Sequence, residues 1–329
     1  MIETYDLTIA IVNYNTRELL KSCLTSIFAQ TKDINFQVIV VDNASKDSSV
    51  EMLNEYFPTV KVIQNQKNVG FPSAVNQALA LSDARYFLLF NSDAKPLNNA
   101  FKSIIDYMDQ HEQVGICGPQ LYYPDGSPQK SHYRFRFPRG RARWEVIPRI
   151  KELKALLRGD TDYEYHYNRR PVVIPDQPRK IQWPRGVCFM IRGKCVEDVG
   201  YMDQNIFIYS DEVDYAWRAR LKGWERHLVP CAKVSHEEGA STKKNASMMN
   251  IIHVQSDYYY FYKHFGLRGW LALRLGYLAG SFAALLLGIA SICYKHLREK
   301  KVPKQHFADF RDLLMLSTLT SKVLPPDAR

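Results

Sequence analysis

Asn91-Ser92-Asp93 directly follows the apolar run Arg85-Tyr86-Phe87-Leu88-Leu89-Phe90, so a carboxylate is delivered at the end of a strand-like segment. Two earlier runs end in the same way: Leu7 to Val12 leads to Asn13-Tyr14-Asn15, and Phe36 to Val41 leads to Asp42-Asn43-Ala44-Ser45. Asp42, Asp93 and the amides around them suit hydrogen bonding to a base and ribose, and the holding of a hard divalent cation against phosphates. The Asp42 segment reads equally as an Asx turn that caps a helix. A second cluster is Ser210-Asp211-Glu212-Val213-Asp214. Its crowded carboxylates repel one another, which raises a pKa toward that of a general base. The plainer reading is an N-cap serine, first-turn acids that complement the helix dipole, and an Asp214–Arg218 pair. His236 ends a further apolar run 24 residues after Glu212. It is a metal ligand only if the fold brings it beside Asp93, and a structural histidine otherwise.

These residues need a scaffold that gathers strand ends. From Leu7 to Gly118 short β-branched runs alternate with helical patterns, which predicts βα units and a mostly parallel sheet with flanking helices. Strands are expected near 7–13, 36–42, 60–64, 85–91 and 114–118, and helices near 17–29, 46–56, 72–82 and 98–110. Right-handed crossovers then bring the polar strand ends to one edge, where an open α/β sheet binds its ligand. Pro124-Asp125-Gly126-Ser127 reads as a hairpin turn. A strand resumes over Gly186–Ile191, a helix follows over 210–223, and a strand over 226–234 ends at Ser235-His236.

The chain has 329 residues and is 46% apolar, enough for one large α/β domain plus an appendage. Its formal charge of +10 is uneven, with 13 Lys or Arg against 6 Asp or Glu from Arg134 to Lys180. That excess favours a phosphate-bearing ligand or an anionic membrane face, and a nucleic acid partner is not expected. No Gly-x-Gly-x-x-Gly follows the first strand and no P-loop motif occurs, which disfavours a dinucleotide-linked dehydrogenase and a P-loop NTPase. The six cysteines have no zinc-site spacing and read as reduced, mostly buried and cytosolic, and no signal peptide is read at the N-terminus.

Together the pieces resemble family 2 of the inverting, nucleotide-sugar-dependent glycosyltransferases, with the GT-A fold, and within it the rhamnosyltransferase-like branch. The resemblance covers roughly residues 5–240. It rests on Ile11-Val12-Asn13-Tyr14-Asn15, Val40-Val41-Asp42-Asn43-Ala44-Ser45, Asn68-Val69-Gly70-Phe71, Asn91-Ser92-Asp93, Gly186-Val187-Cys188-Phe189-Met190-Ile191-Arg192 and Asp211-Glu212-Val213-Asp214-Tyr215-Ala216-Trp217-Arg218. It implies that Asp42 reads the nucleobase, helped by Asn13 and Asn15, and that Asn68, Gly70 and Asn76 lie beside the donor's ribose and diphosphate. Asp93 matches the last acid of the family's Asp-x-Asp motif, which holds Mg²⁺ or Mn²⁺, with Asn91 and Ser92 completing the donor-binding triplet. Asn91 stands where the first acid is expected, one charge fewer. Of the acidic pair Asp211-Glu212, Glu212 is the implied catalytic base with Asp214 in support, and His236 matches a histidine that joins the metal site.

The C-terminal part changes character. The reading divides the chain into a GT-A domain over 1–240, with a basic acceptor-side or membrane-side insertion over 138–180, a linking helix over 241–266, and membrane-associated helices over 267–329. Leu275–Tyr294 is 20 residues without a charge, yet Arg268 and Arg274 precede it and Lys295, Arg298, Lys300 and Lys301 follow it. Positive flanks on both sides favour a re-entrant or interface-lying helix over one clean crossing. Phe307 to Leu316 continues as an amphipathic pattern suited to a bilayer surface. The alternatives are a buried core helix or a homo-oligomer interface.

The expectation is therefore an enzyme peripheral or monotopic on the cytoplasmic face of the inner membrane. It would transfer rhamnose, from dTDP-rhamnose, to a hydroxyl of a lipid-linked glycan in surface polysaccharide synthesis. Arg134, Arg136, Arg139, Arg141 and Arg143 would meet lipid headgroups or the acceptor diphosphate, or form a solvated basic loop. Competing readings are the same chemistry with another UDP- or dTDP-sugar, and a non-catalytic nucleotide-sugar-binding scaffold.

Overall fold

The structure, a computed structural model, describes residues 5–135, 137, 172–238 and 246–298. The basic residues Arg136, Arg139, Arg141 and Arg143, most of the 138–180 insertion and the 307–316 amphipathic stretch lie outside the described residues. By its internal contacts the chain divides into two compact units, 1–135 with 172–249, and 136–171 with 250–329.

The first unit is an α/β sheet domain. Its strands are β1 (Leu7–Asn13), β2 (Phe36–Asp42), β3 (Lys61–Gln64), β4 (Tyr86–Phe90), β5 (Ala94–Leu97), β6 (Val114–Tyr122), the short β7 (Pro128–Gln129), β8 (His132–Tyr133), β9 (Arg179–Lys180) and β10 (Trp183–Pro184), then β11 (Cys188–Arg192) and β12 (Glu225–His236). Its helices are α1 (Arg17–Gln30), α2 (Ser49–Tyr56), α3 (Phe71–Leu79), α4 (Ala100–Asp109), α5 (Gly193–Val199) and α6 (Asp211–Leu221). The main sheet runs β3-β2-β1-β4-β11-β6-β12-β5. Leu7, Ile9 and Ile11 of β1, with Leu88 and Phe90 of β4, pack into one core cluster with Leu20, Leu24 and Ile27 of α1 and Phe101, Ile104 and Met108 of α4. Leu20, Cys23, Leu24 and Ile27 recur at helical spacing, which gives α1 the single apolar face that covers the sheet.

The sheet is mixed, which corrects the expectation of a mostly parallel one. β1, β2, β3 and β4 pair in parallel, as do β6 and β12, but β11 lies antiparallel between β4 and β6. The reason is where the chain re-enters. β6 ends at the ligand-binding edge, the β6–β7 hairpin turns there, and β11 starts opposite Phe90 at the end of β4, so it can only run back down the sheet. The expected strands also lack β5, because its four residues, Ala94-Lys95-Pro96-Leu97, are too few to establish a pattern and contain a proline, which reads against a strand.

In the second unit one long helix, α7 (Ala246–Arg298), is broken at Gly266, where φ is 63° and ψ is −159°. Across the break the Tyr258 ring lies 5.8 Å from both Trp270 and Tyr277. On a straight helix Tyr258 and Tyr277 would stand roughly 28 Å apart at 1.5 Å per residue. The second half therefore folds back along the first. Only glycine takes this backbone turn without steric penalty. Among the described residues no helix is long and apolar enough to cross a membrane.

Candidate active site

At the ends of β1 and β2 the polar residues interlock. Asn13 donates to Asp42 Oδ1 at 2.7 Å and to Ser45 Oγ at 3.0 Å, and its carbonyl oxygen accepts from Thr16 at 2.6 Å. Asp42 Oδ2 accepts from the Ser45 backbone N–H at 2.9 Å. Asn15, with φ at 54°, caps the neighbouring turn by accepting from Lys46 N–H at 2.7 Å. Asp42 is thus a fully buried carboxylate whose two oxygens are oriented separately, each keeping acceptor capacity. The Asx turn of the plainer reading is therefore present at Asp42, and it leaves acceptor capacity on both oxygens.

Beside it, Asn68 Oδ1 accepts from Gly70 N–H at 3.0 Å, and Gly70, with φ at 86°, opens into α3. A Cβ on Gly70 would stand 2.8 Å from the Phe207 carbonyl oxygen, so this position admits no side chain. Asn76 points elsewhere than the donor assignment requires. Its amide donates to Met202 O at 2.8 Å and accepts from Met202 N–H at 2.9 Å, which ties the 201–210 loop to α3. The residue positions the loop that leads into α6.

The Asn91-Ser92-Asp93 turn follows β4. Asn91 N–H donates to Val187 O at 3.0 Å, while Ser92 Oγ meets Thr16 Oγ1 at 3.0 Å, linking the turn to the Asp42 network. Asp93 is buried, and its Oδ1 has no hydrogen-bond partner among the described residues. His236 Nε2 lies 3.4 Å from that oxygen. The juxtaposition is made by β5, whose Ala94 pairs with His236 at the end of β12. The tautomer follows from the next partners. Gln129 Nε2 donates to Glu238 at 3.1 Å, so Gln129 Oε1 faces His236 Nδ1 at 2.9 Å and must accept its proton. With Nδ1 committed to Gln129, it is Nε2 that faces the orphaned Asp93 oxygen, and in a neutral ring that nitrogen carries the lone pair a metal would use. Two facing lone pairs in a buried pocket fit a divalent cation. Among the described residues no group of three or more His, Cys, Asp or Glu gathers to hold a metal, so this pair leaves most of a coordination sphere to a ligand's own oxygens.

The acidic cluster opens α6. Tyr209 and Ser210 both take left-handed backbone, φ 65° and 61°, which turns the chain sharply into the helix. Asp214, fully buried, holds Arg218 Nε at 2.9 Å, while Arg218 also donates to Val199 O and Tyr201 O. Its carboxylate belongs to a structural ion pair, as the plainer reading of the cluster anticipated. Asp211 differs: burial, then the charge of Glu212, raises its pKa well above the ordinary carboxyl value, and its side chain is hydrogen-bonded to Glu212. In this arrangement Asp211 keeps the shared proton and Glu212 is the ionised acceptor. Gly186 forms the floor beneath Glu212, since a Cβ there would lie 3.2 Å from the Glu212 carboxyl carbon. Thr16 and Gln129 escaped sequence reasoning, because neither carries a charge and each acts by contact across the fold, while Gly186 was read only as part of a strand motif and not as the seat of Glu212.

Four of the five cysteines with described side chains, Cys23, Cys117, Cys188 and Cys195, are buried free thiols, and burial pushes Cys195 up to about 12. They are packing residues rather than nucleophiles.

Residues 8–169 match the family model described as Glycosyl transferase family 2. An N-acetylglucosaminyl-diphospho-decaprenol L-rhamnosyltransferase of Mycobacterium tuberculosis is 24% identical over 298 residues, covering 82% of this chain and 91% of the relative. A poly(ribitol-phosphate) beta-glucosyltransferase of Bacillus spizizenii is 36% identical over 92 residues, 26% of this chain and 14% of the relative. In fold, the mannosyltransferase PcManGT of Pyrobaculum calidifontis, solved with GDP-Man and Mn²⁺, superposes with a TM-score of 0.55 at 15% identity, covering 100% of this chain and 89% of that one. GalNAc-T7, solved with UDP, GalNAc and Mn²⁺, gives a TM-score of 0.54 at 15% identity, covering 81% of this chain and 50% of that one. With its GT-A-like α/β architecture and mixed central sheet, the chain belongs to the family 2 glycosyltransferases and is rhamnosyltransferase-like.

Proposed function

We propose that the chain is an inverting glycosyltransferase that moves rhamnose from dTDP-rhamnose to a hydroxyl of a lipid-linked glycan in surface polysaccharide synthesis. The observation that carries the reading is the presence of two polar sites beside the β4 and β11 strand ends: a buried Asp93 oxygen without a hydrogen-bond partner among the described residues that faces His236 Nε2 at 3.4 Å, and an Asp211–Glu212 pair in which Asp211 keeps the proton. The rhamnosyl donor and the lipid-diphosphate acceptor are supported by the mycobacterial relative. Mg²⁺ or Mn²⁺ would be held by Asp93 and His236 and would supply stabilisation of the leaving diphosphate's charge. Both solved neighbours carry Mn²⁺, which supports that assignment.

Asp42, steadied by Asn13 and Ser45, presents carboxylate oxygen to the imino N–H of a uracil or thymine ring. Asn15, Asn68 and Gly70 shape the turns on which the rest of the nucleotide lies, while Asn91 and Ser92 hold Asp93 in place. Glu212 accepts the proton of the acceptor hydroxyl as that oxygen attacks the anomeric carbon, and Asp211, neutral beside it, donates a hydrogen bond that orients the base. Attack from the base's side in a single displacement inverts the anomeric centre. No sugar becomes bonded to the protein.

Membrane contact is part of the proposal. Leu267, Leu271, Leu275, Leu278, Phe282, Leu286 and Ile289 are all exposed, and their spacing confines them to an arc of about 100° at 100° per residue. Leu273 and Tyr277, on the other side, are buried. A continuous apolar stripe of this length flanked by Arg268 and Arg274 suits an interface-lying helix on the cytoplasmic face of the inner membrane, the enzyme being peripheral or monotopic there.

The test is nucleoside diphosphate release from dTDP-rhamnose and a panel of UDP- and GDP-sugars, with a lipid-linked acceptor. Glu212→Gln should lower kcat by roughly 10²- to 10⁴-fold with donor binding intact. Undiminished turnover in that variant would remove Glu212 as the base, whereas donor binding without turnover in the wild type across all acceptors would favour the scaffold reading.

A further inference from the structure

Far from the Asp93 edge, the first unit contains a cavity of about 670 Å³ walled by six basic side chains, His132, Arg134, Arg179, Lys180, Arg220 and Arg226. Among the described residues no Asp or Glu lines it. Of the six, Lys180 alone has a carboxylate partner among the described residues, Glu225 on the rim. The guanidinium groups are held by other means. Arg226, only 6% exposed, donates to Gln182 O at 3.0 Å and Trp224 O at 2.7 Å, and Arg220 lies 5.1 Å over the Trp217 ring. Arg179 reaches His132 Nε2 at 2.8 Å.

A buried arginine without a counter-ion is costly, and several converging on one space repel each other. The pKa values shift accordingly: burial, then Arg220, lowers that of Arg226, and burial, then Arg179, Lys130 and Arg134, lowers that of His132. Such an arrangement is relieved by a bound anion. Donors fixed by carbonyls and aromatic faces before the anion arrives are those that bind phosphate oxygens with least reorganisation.

The position in the fold says which anion. Arg226 pairs with Ile116 and Ser235 with Tyr122, six residues on along β6, so the cavity end of β12 stands roughly 20 Å from the His236 end at 3.3 Å per residue. It is too remote for the donor's diphosphate. Toward the base it is nearer. Glu212 and Arg220 share α6, eight residues or roughly 12 Å apart along the axis. Gln182 on the cavity wall is four residues from Gly186, where an added Cβ would lie 3.2 Å from the Glu212 carboxyl carbon.

We infer that this cavity is the acceptor's anion site: it takes the phosphate or diphosphate group of the phosphate-linked glycan whose hydroxyl Glu212 deprotonates. The inference rests on the glycosyltransferase reading above. The cavity–base distance then acts as a ruler, admitting acceptors with one or two sugar rings between the phosphate and the reacting hydroxyl.

The experiment uses the full chain with Arg134→Ala, Arg220→Ala and their combination, none of which touches the donor site. Inorganic pyrophosphate, followed by calorimetry in the presence of saturating nucleoside diphosphate, should bind the wild type and Glu212→Gln alike and bind the double variant at least tenfold more weakly. With the lipid-diphosphate acceptor in detergent, the acceptor KM should rise at least tenfold in the double variant, with donor KM unchanged. With a glycan acceptor on a neutral aglycone the variant and wild type should match. Equal pyrophosphate affinity in variant and wild type would overturn the site. A variant that keeps its acceptor KM but loses binding to anionic phosphatidylglycerol vesicles would reassign the cavity to lipid headgroups. Loss of turnover with every acceptor in the wild type would instead count against the catalytic reading and leave the pyrophosphate result standing by itself.

Discussion

Replacing Gly186 with alanine isolates the seat of the base without removing any functional group. The added Cβ would lie 3.2 Å from the Glu212 carboxyl carbon and 3.3 Å from Oε1, against an ordinary carbon contact of about 3.5–4.0 Å. The backbone is poorly placed to yield, because the adjacent Val187 carbonyl is held by Asn91 N–H at 3.0 Å. The carboxylate must give way, by a few tenths of an ångström. A full ångström of misplacement costs on the order of 10²-fold in rate, so this smaller shift should cost roughly 3- to 10-fold in kcat, or about 0.7–1.4 kcal/mol of transition-state stabilisation. Nucleoside diphosphate release at saturating donor and acceptor reads kcat, and a donor titration in the same assay should return an unchanged donor KM. A folded Gly186→Ala protein with wild-type kcat would refute the placement of Glu212 as base. A raised donor KM at constant kcat would instead put this glycine on the donor's path.

Three further outcomes follow from the geometry. Burial, then the charge of Glu212, raises the pKa of Asp211 well above the ordinary carboxyl value, so the folded protein holds a proton that the unfolded chain gives up. The penalty of this site therefore grows as pH climbs above about 4, and thermal denaturation of Asp211→Asn should show a Tm gain of a few degrees at pH 8 that shrinks toward pH 4. A gain independent of pH would contradict the assigned proton. His236→Ala should raise the Mn²⁺ concentration for half-maximal activity at least tenfold, since it removes one of two protein ligands, and an unchanged metal titration would free His236 from that role. Leu275→Glu with Phe282→Glu should abolish co-sedimentation with anionic vesicles, because each side chain contributes about 1.5–3 kcal/mol when buried, while persistent binding would move the membrane face elsewhere.

The strand ends of the candidate site were legible because their signals are local. An apolar run followed at once by a polar turn marks a strand end, and β1, β2 and β4 terminate as Leu7–Asn13, Phe36–Asp42 and Tyr86–Phe90 within a residue or so of expectation. Placing Asp42 and Asp93 at those ends needed only that. What was not legible depends on pairing across the chain. Nothing in the pattern of Cys188–Arg192 says which way β11 runs, since a buried strand reads the same in either direction. His236 reaches Asp93 only through the β5–β12 ladder, and Asn76 is drawn away from the donor by Met202, residues with no local mark of each other. The turn at Gly266 falls where the reading separates the linking helix over 241–266 from the helices after it, but the exposed stripe and the buried face became distinguishable only once the helix folded back.

The clamp between Asn76 and Met202 joins residues 126 positions apart, and His236 meets Gln129 across 107. Both contacts close large loops, whose entropy must be offset before any neighbouring contact rewards them. The nucleotide-side strands, by contrast, pair within the first ninety or so residues and can assemble as the chain emerges from the ribosome. A chain in which these loops have not yet closed would have the β1, β2 and β4 strand ends gathered but would lack the contacts that seat His236 and the loop leading into α6.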